Sequence, residues 1–102
     1  MTEVPFSLSF DAAAGTLTIA GDVDEHNAAG LREGIEKYSQ MYSLDVVLDL
    51  TAVTFLPSTA VGVLVRAGQE FAAAGTTFEL AAAAGTIAER VLTVCAMPHR
   101  AY

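Results

Sequence analysis

Basic residues are scarce. Only 5 of the 102 residues are Lys or Arg, against 12 Asp or Glu, and the formal net charge is −7. A nucleic-acid-binding surface needs a basic footprint to displace counterions from phosphates, and this chain lacks the cations for one. The acidic balance suits a partner with a basic surface, steered in by long-range attraction, and equally suits the ordinary solubility of an acidic domain. Cysteine is scarcer still. Cys95 stands alone, which excludes an intramolecular disulfide and a cysteine-built zinc site, and it reads as a small buried apolar residue. Long apolar runs are missing too. Although 53% of the residues are hydrophobic, Asp49, Arg66 and Glu70 cut the longest stretches below the roughly 18 residues of a membrane span. Glu3 precedes any Lys or Arg, so the basic-then-apolar layout of a secretory leader is absent, and the chain is expected to be cytoplasmic. Repeats, charge blocks and linkers are lacking, and the length suits a single domain over residues 1–102.

Catalytic motifs are equally hard to find. Ser58 lies in Leu-Pro-Ser-Thr-Ala, with no Gly-x-Ser-x-Gly elbow around it. No Gly-x-x-x-x-Gly-Lys-Ser/Thr phosphate loop occurs. The two histidines show no base–nucleophile spacing. His26 follows Asp22 and Asp24 in an Asp-x-Asp-x-His pattern, but a solvated, capped helix entry looks the same. The expectation is a protein that is not an enzyme, with no metal and no cofactor.

What the sequence does contain is alternating strand and helix patterning. Phe6 to Phe10 and Thr16 to Ala20 alternate apolar and polar residues around the turn Asp11-Ala12-Ala13-Ala14-Gly15, the signature of a hairpin with one buried face. Gly21-Asp22-Val23-Asp24 breaks the strand. Asp24 is placed to cap a helix whose first turn holds Glu25. Ala28, Leu31, Ile35, Tyr38 and Tyr42 recur at helical spacing, predicting about four turns. Gly30 and Gly34 weaken that helix, and would let it pack closely on the sheet. Val46 to Leu50 is nearly continuous apolar sequence, as in a central strand covered on both faces. A second helix is predicted over 58–74, its inner stripe Val61, Leu64, Val65, Gly68, Phe71 and Ala72, stopped by Gly75. Thr76 to Ala82 reads as another strand, and Thr86 to Val94 as a short helix burying Ile87, Val91 and Leu92. Pro98 ends helical structure, and no pattern places residues 99–102. The fold class is therefore α/β, a four-stranded mixed β-sheet with helices packed mainly on one face and with Val47, Leu48, Leu64 and Phe71 in the core.

Between the third strand and the second helix lies Leu56-Pro57-Ser58-Thr59-Ala60. Pro57 fixes its own φ and holds Leu56 extended, so the strand cannot run smoothly into the helix. Ser58 or Thr59 is placed to cap the helix through its side-chain oxygen. The same position suits a phosphate, because a helix N-terminus offers unpaired N–H groups and the positive end of the macrodipole. Asp49, at the end of the preceding strand, is expected to receive backbone N–H bonds.

This run resembles the signature of STAS domains, the family of the bacterial anti-sigma factor antagonists. Their strand typically ends in Asp-Leu-Ser, similar to Asp49-Leu50-Thr51. A Phe-Ile/Met-Asp-Ser-Ser-Gly-Leu-Gly segment then opens the helix, similar to Phe55-Leu56-Pro57-Ser58-Thr59-Ala60-Val61-Gly62. Gly21-Asp22-Val23-Asp24 resembles the family's Gly-x-Leu-Asp step, and the likeness spans about residues 4–95. It departs at Pro57, where the family usually has Asp, and at Ala60, where it usually has Gly. The resemblance implies a STAS-like domain acting as an anti-sigma factor antagonist. Its partner would be an anti-sigma factor with serine/threonine kinase activity. Phosphorylation at Thr59, the counterpart of the family's acceptor, or at Ser58 would release that partner, and a phosphatase would reset the switch. The implied contact surface is Pro57, Ser58, Thr59, Ala60, Val61 and Gly62, joined by Asp22 and Asp24. The resemblance also leaves open a non-phosphorylated STAS scaffold or accessory subunit of a transporter or signalling assembly.

Overall fold

In the computed structural model, which describes residues 5–102, the chain runs β1 (Ser7–Asp11), β2 (Thr16–Asp22), α1 (Ala28–Tyr38), β3 (Val46–Phe55), α2 (Ser58–Ala74), β4 (Phe78–Ala82), α3 (Ile87–Val94) and β5 (Arg100–Ala101). The N-terminal stretch through Glu3, read above as unlike a leader, lies outside the described residues. The strands form one sheet in the order β1-β2-β3-β4-β5. β1 is antiparallel to β2, and every later pairing is parallel. β3 is the middle strand, as the apolar run Val46 to Leu50 requires. Among the described residues no helix is long and apolar enough to cross a membrane.

Register explains where the core sits. Phe10, Leu17, Leu48 and Leu80 stand side by side across four strands, and the last three are buried. Leu31 and Ile35 of α1, Leu64 and Phe71 of α2, and Ala88 and Leu92 of α3 join the same hydrophobic cluster. The neighbouring row, Ser9, Thr18, Asp49, Ala81 and Arg100, belongs to the other face. β3 therefore alternates buried and half-buried residues. Val47 is half-buried on this second face, contrary to the expectation of a strand covered on both sides, because no helical layer lies over it.

All three helices differ in some respect from their predicted form. α1 begins at Ala28 and has 11 residues. Asp24 caps a turn upstream of it: its Oδ1 accepts from the Asn27 N–H at 3.0 Å while Asn27 Oδ1 accepts from the Asp24 N–H at 2.7 Å. At the other end the chain reverses through Gln40, Met41 and Tyr42 at φ of 52°, 56° and 69°. Left-handed conformation costs side-chain-bearing residues about 1–2 kcal/mol each. Hydrogen bonds oppose that cost. The Met41 N–H reaches Glu36 O at 2.8 Å, the Tyr42 N–H reaches the buried Ser39 Oγ at 2.9 Å, and Thr76 Oγ1 donates to Tyr42 O at 2.6 Å. Tyr42 thus packs on the core from outside the helix. Gly34 supplies the close approach: a Cβ there would sit 2.7 Å from Leu8 Cδ1.

α2 has the predicted ends, and Gly75 stops it at φ 79°. Its inner stripe, however, is Ala60, Leu64, Ala67 and Phe71, while Val65 is 45% exposed. α3 is capped by Thr86, whose Oγ1 accepts from the Glu89 N–H at 3.2 Å. It buries Ala88 and Leu92 and leaves Ile87 half exposed. Cys95, expected to be buried, is exposed at the C-terminal end of α3.

The tail that sequence patterning leaves unplaced adds a fifth strand to the four predicted. The Ala84 N–H donates to Tyr102 O at 2.7 Å, and the Tyr102 N–H to Ala82 O at 3.3 Å. His99 fastens the approach to it. Nδ1 lies 2.8 Å from Met97 O, and Nε2 lies 3.0 Å from Glu89 Oε2. Both ring nitrogens face acceptors, which only the imidazolium satisfies. The Met97 carbonyl and the Glu89 carboxylate raise the His99 pKa above its ordinary 6.5. Hydrogen bonds from Thr93 and His99 lower that of Glu89 below 4.5. His99 therefore contributes fully below pH 6.5, and its contribution fades as pH rises through the raised value. Glu89 contributes above pH 4.5, and its contribution fades as pH falls through the lowered value. The tail is expected to be held best between those two limits. An NMR titration of the His99 ring should give a pKa above 6.5 that drops in Glu89→Gln; an identical midpoint in both proteins would contradict the pairing.

Candidate functional site

The sheet delivers β3 to the start of α2 with a sharp change of direction. Pro57, at φ −77° and ψ 168°, is the N-cap residue, and no side chain caps the helix. Its carbonyl accepts from the N–H groups of Ala60 at 3.0 Å and Val61 at 3.1 Å. Ser58 and Thr59, expected to cap, instead occupy the first helical turn with both side chains exposed. Their hydroxyls are therefore not committed to holding the helix end. Their backbone N–H groups belong to the first turn, where no helical carbonyl precedes them.

The β2–α1 loop lies against this corner. Gly21 is at φ 87°, a conformation that suits glycine, where β2 bends at its irregular pairing with β3. Asp22 then pairs with Phe55 across the strands, and Thr54 Oγ1 donates to Asp22 Oδ1. The Val23 N–H donates to Phe55 O at 3.0 Å, and Asn27 Nδ2 donates to Asp22 O at 3.0 Å. Asp22 and Asp24 are thereby fixed beside the end of β3. Among the residues expected to form a contact surface, Asp24, Ser58, Thr59 and Gly62 are exposed, and Asp22, Pro57 and Val61 are half-buried. Ala60 is fully buried in the core and offers no side chain to a partner. Phe55, 53% exposed, extends the patch. The apolar run Val46 to Leu50 does not reveal that the strand continues to residue 55, so the sequence marks Phe55 only as part of a motif.

From Thr59 a cleft of about 590 Å³ runs between the helices. Thr59, Gly62, Val63, Arg66 and Glu70 line one wall from α2, and Arg32, Ile35 and Glu36 the other from α1. Ala67 of α2, with Met41 and Tyr42, completes the lining. The Tyr42 hydroxyl donates to Glu36 Oε2 at 3.2 Å. Burial, then the charges of Glu36 and Glu70, keep that hydroxyl protonated by raising its pKa. The i, i+3, i+4, i+7, i+11 spacing from Thr59 to Glu70 was readable in the sequence as one helical stripe; its opposition to α1 was not.

Asp49 has the structural role expected of it, although it sits in mid-strand. Oδ1 accepts from the Thr51 N–H at 2.9 Å. Burial alone would raise its pKa, but hydrogen bonds from the Tyr102 hydroxyl and from Thr51 outweigh that and lower it. Thr51 Oγ1 donates to the Tyr102 hydroxyl at 3.0 Å and accepts from the Ala83 N–H at 2.9 Å. The cluster ties the tail to β3 on the face away from the helices. His26 is exposed, and among the described residues no group of three or more His, Cys, Asp or Glu side chains is placed to hold a metal ion.

The STAS domain family model matches residues 7–98. Among solved structures, an anti-sigma factor antagonist from Mycobacterium paratuberculosis aligns with a TM-score of 0.71 at 19% identity, covering 95% of this chain and 85% of that one. The anti-sigma factor antagonist SpoIIAA in its unphosphorylated form aligns at 0.65 and 17% identity, covering 96% and 87%. The STAS domain of an antisigma-factor antagonist from Rhodobacter sphaeroides aligns at 0.53 and 13% identity, covering 76% and 85%. At these identities the likeness is one of fold.

Proposed function

The chain belongs to the STAS domain family, and from that premise we propose that it is an anti-sigma factor antagonist switched by phosphorylation. The unmodified domain binds an anti-sigma factor with serine/threonine kinase activity, which frees a sigma factor for transcription. The kinase transfers the γ-phosphoryl group of ATP to Thr59 Oγ1 (or to Ser58 Oγ). An O–P bond forms, the bond to the ADP oxygen breaks, and the hydroxyl proton passes to a base of the kinase. The phosphorylated domain then releases its partner, and a phosphatase resets it.

One observation carries this reading: two exposed hydroxyls in the first turn of α2, neither used as a cap. A hydroxyl that held the helix end could be modified only at the expense of the fold. Here the modification leaves the cap of α2 untouched. Phosphate adds about 1.5 to 2 negative charges to a patch already carrying Asp22 and Asp24, and the helix N-terminus tolerates them. A partner surface shaped for the neutral hydroxyls, Pro57 and the exposed Phe55 ring must then desolvate a dianion.

Incubation with the cognate kinase and ATP, followed by intact mass and calorimetry, tests the reading. One added phosphoryl group and loss of partner binding are expected. A chain that binds its partner but is never modified would instead be a constitutive scaffold or accessory subunit.

A further inference from the structure

Two of the chain's five basic residues, Arg32 and Arg66, line the cleft that Thr59 also lines. Neither belongs to an ion pair among the described residues. We propose that this cleft is the receptor for the phosphate carried by Thr59: once modified, the side chain folds inward between Arg32 and Arg66 and ties α1 to α2. The inference rests on the phosphorylation proposed above for the modification itself, but not for the geometry.

Four features support it. Arg66 follows Thr59 by seven residues, about two turns, so both lie on one face of α2. Side chains of a helix lean toward its N-terminus, which aims Arg66 back along the cleft toward Thr59. The position between them is Gly62, where an added Cβ would meet nothing within 4 Å, so the path is open. The helix directions also place Arg32. α1 and α2 each join parallel neighbouring strands, so they run in the same direction. Arg32 then lies toward the end where Thr59 sits. Glu36 and Glu70 act on the Tyr42 hydroxyl, and the Arg32 charge reaches it as well, more weakly. The phosphate would meet two guanidinium groups, whose planar forks suit bidentate contact with its oxygens.

Ser58 does not line the cleft. The arrangement thus gives a geometric ground for telling apart two adjacent hydroxyls. It also gives phosphorylation a second consequence besides added charge, since it withdraws the Thr59 side chain from the contact patch and fills the space between the helices.

The test uses full-length protein with phosphothreonine installed at position 59 by genetic-code expansion, and a second protein with phosphoserine at position 58, so that no kinase is needed. The second ionisation of such a phosphate ordinarily falls near pH 6. Phosphorus NMR titration should find it lowered by about one unit at position 59, and near 6 at position 58. Arg32→Gln and Arg66→Gln should each return it toward 6, as should Gly62→Leu, which fills the opening. Thermal unfolding should show a higher midpoint for the phosphothreonine protein than for the unmodified one, a gain lost in either arginine variant. Ordinary titration at position 59, or a lowered value that survives loss of both arginines and so belongs to the helix N-terminus alone, would overturn the proposal. Either result leaves the antagonist reading standing. Failure of the cognate kinase to modify the wild type would sink that reading and leave the cleft measurable.

Discussion

Phe71→Ala is expected to cost about 3–5 kcal/mol, a large share of the roughly 5–15 kcal/mol that holds a domain of this kind together. Phe71 is 1% exposed and packs where α2, β4 and the turn after α1 meet. Its ring stacks on Phe78 at 4.7 Å between centroids and meets Tyr42 edge-on at 5.1 Å. Truncation removes both pairings, each worth about 0.5–1.5 kcal/mol beyond buried area, and leaves a cavity beside the left-handed turn that carries Tyr42. Leu64→Ala, one position of the same stripe, should cost about 2–5 kcal/mol. Val65→Ala, on the exposed side, should change stability by no more than about 0.5 kcal/mol. Chemical denaturation of the three variants checks the orientation of α2. A loss below about 1 kcal/mol for Phe71→Ala, or a larger loss for Val65→Ala than for Leu64→Ala, would mean that the helix is turned differently.

That orientation is also where sequence reading stopped short. The bounds of α2 were legible because Pro57 and Gly75 punctuate it, and the central place of β3 because Val46 to Leu50 is nearly all apolar, though not its continuation to Phe55. The rotation of α2 was not legible, since Val61 and Val65 carry more hydrophobic weight than Ala60 and Ala67. Yet small residues let a helix approach a sheet closely, and the alanines face inward. α1 was read too long for a related reason. Tyr42 follows Tyr38 by four residues, the helical interval, and nothing in Gln40-Met41-Tyr42 announces a left-handed turn made without glycine. β5 has two residues, too few for any periodicity; it pairs with β4, and the adjoining Tyr102 bonds to Thr51 and Ala82, far away in sequence. At the candidate site, the position of the two hydroxyls could be read locally, because a strand, a proline and a helix start suffice to place them. Their freedom from capping could not, since it depended on Pro57 taking the cap position. The cleft was still less visible, because it exists only once two helices lie side by side.

Thr59→Ala is expected to remove most phosphoryl acceptance while leaving the fold intact. Thr59 does not cap α2, so the roughly 1 kcal/mol of a lost cap does not apply. Alanine is the better helix former by a few tenths of a kcal/mol, so the variant should be as stable as the wild type or slightly more so. Ser58→Ala should likewise fold normally and, if Thr59 is the acceptor, still gain one phosphoryl group. Thr59→Asp should weaken partner binding by roughly tenfold, about 1.4 kcal/mol. The phosphate should do more, because a single carboxylate carries less charge and fewer acceptor oxygens. Pro57→Asp restores the residue that the STAS signature usually carries there, and it also gives α2 a side chain able to cap. That variant should be more stable by about 1 kcal/mol, and a faster modification rate would show that the carboxylate is read by the kinase. Intact mass reports the modification, calorimetry the binding and denaturation the stability, so the three effects separate. Should Thr59→Ala accept phosphate as readily as the wild type while Ser58→Ala accepts none, the acceptor is Ser58, and the cleft plays no part in the switch. Should the wild type remain unmodified and Thr59→Asp bind the partner normally, charge at the start of α2 does not control binding, and the domain is a fixed scaffold.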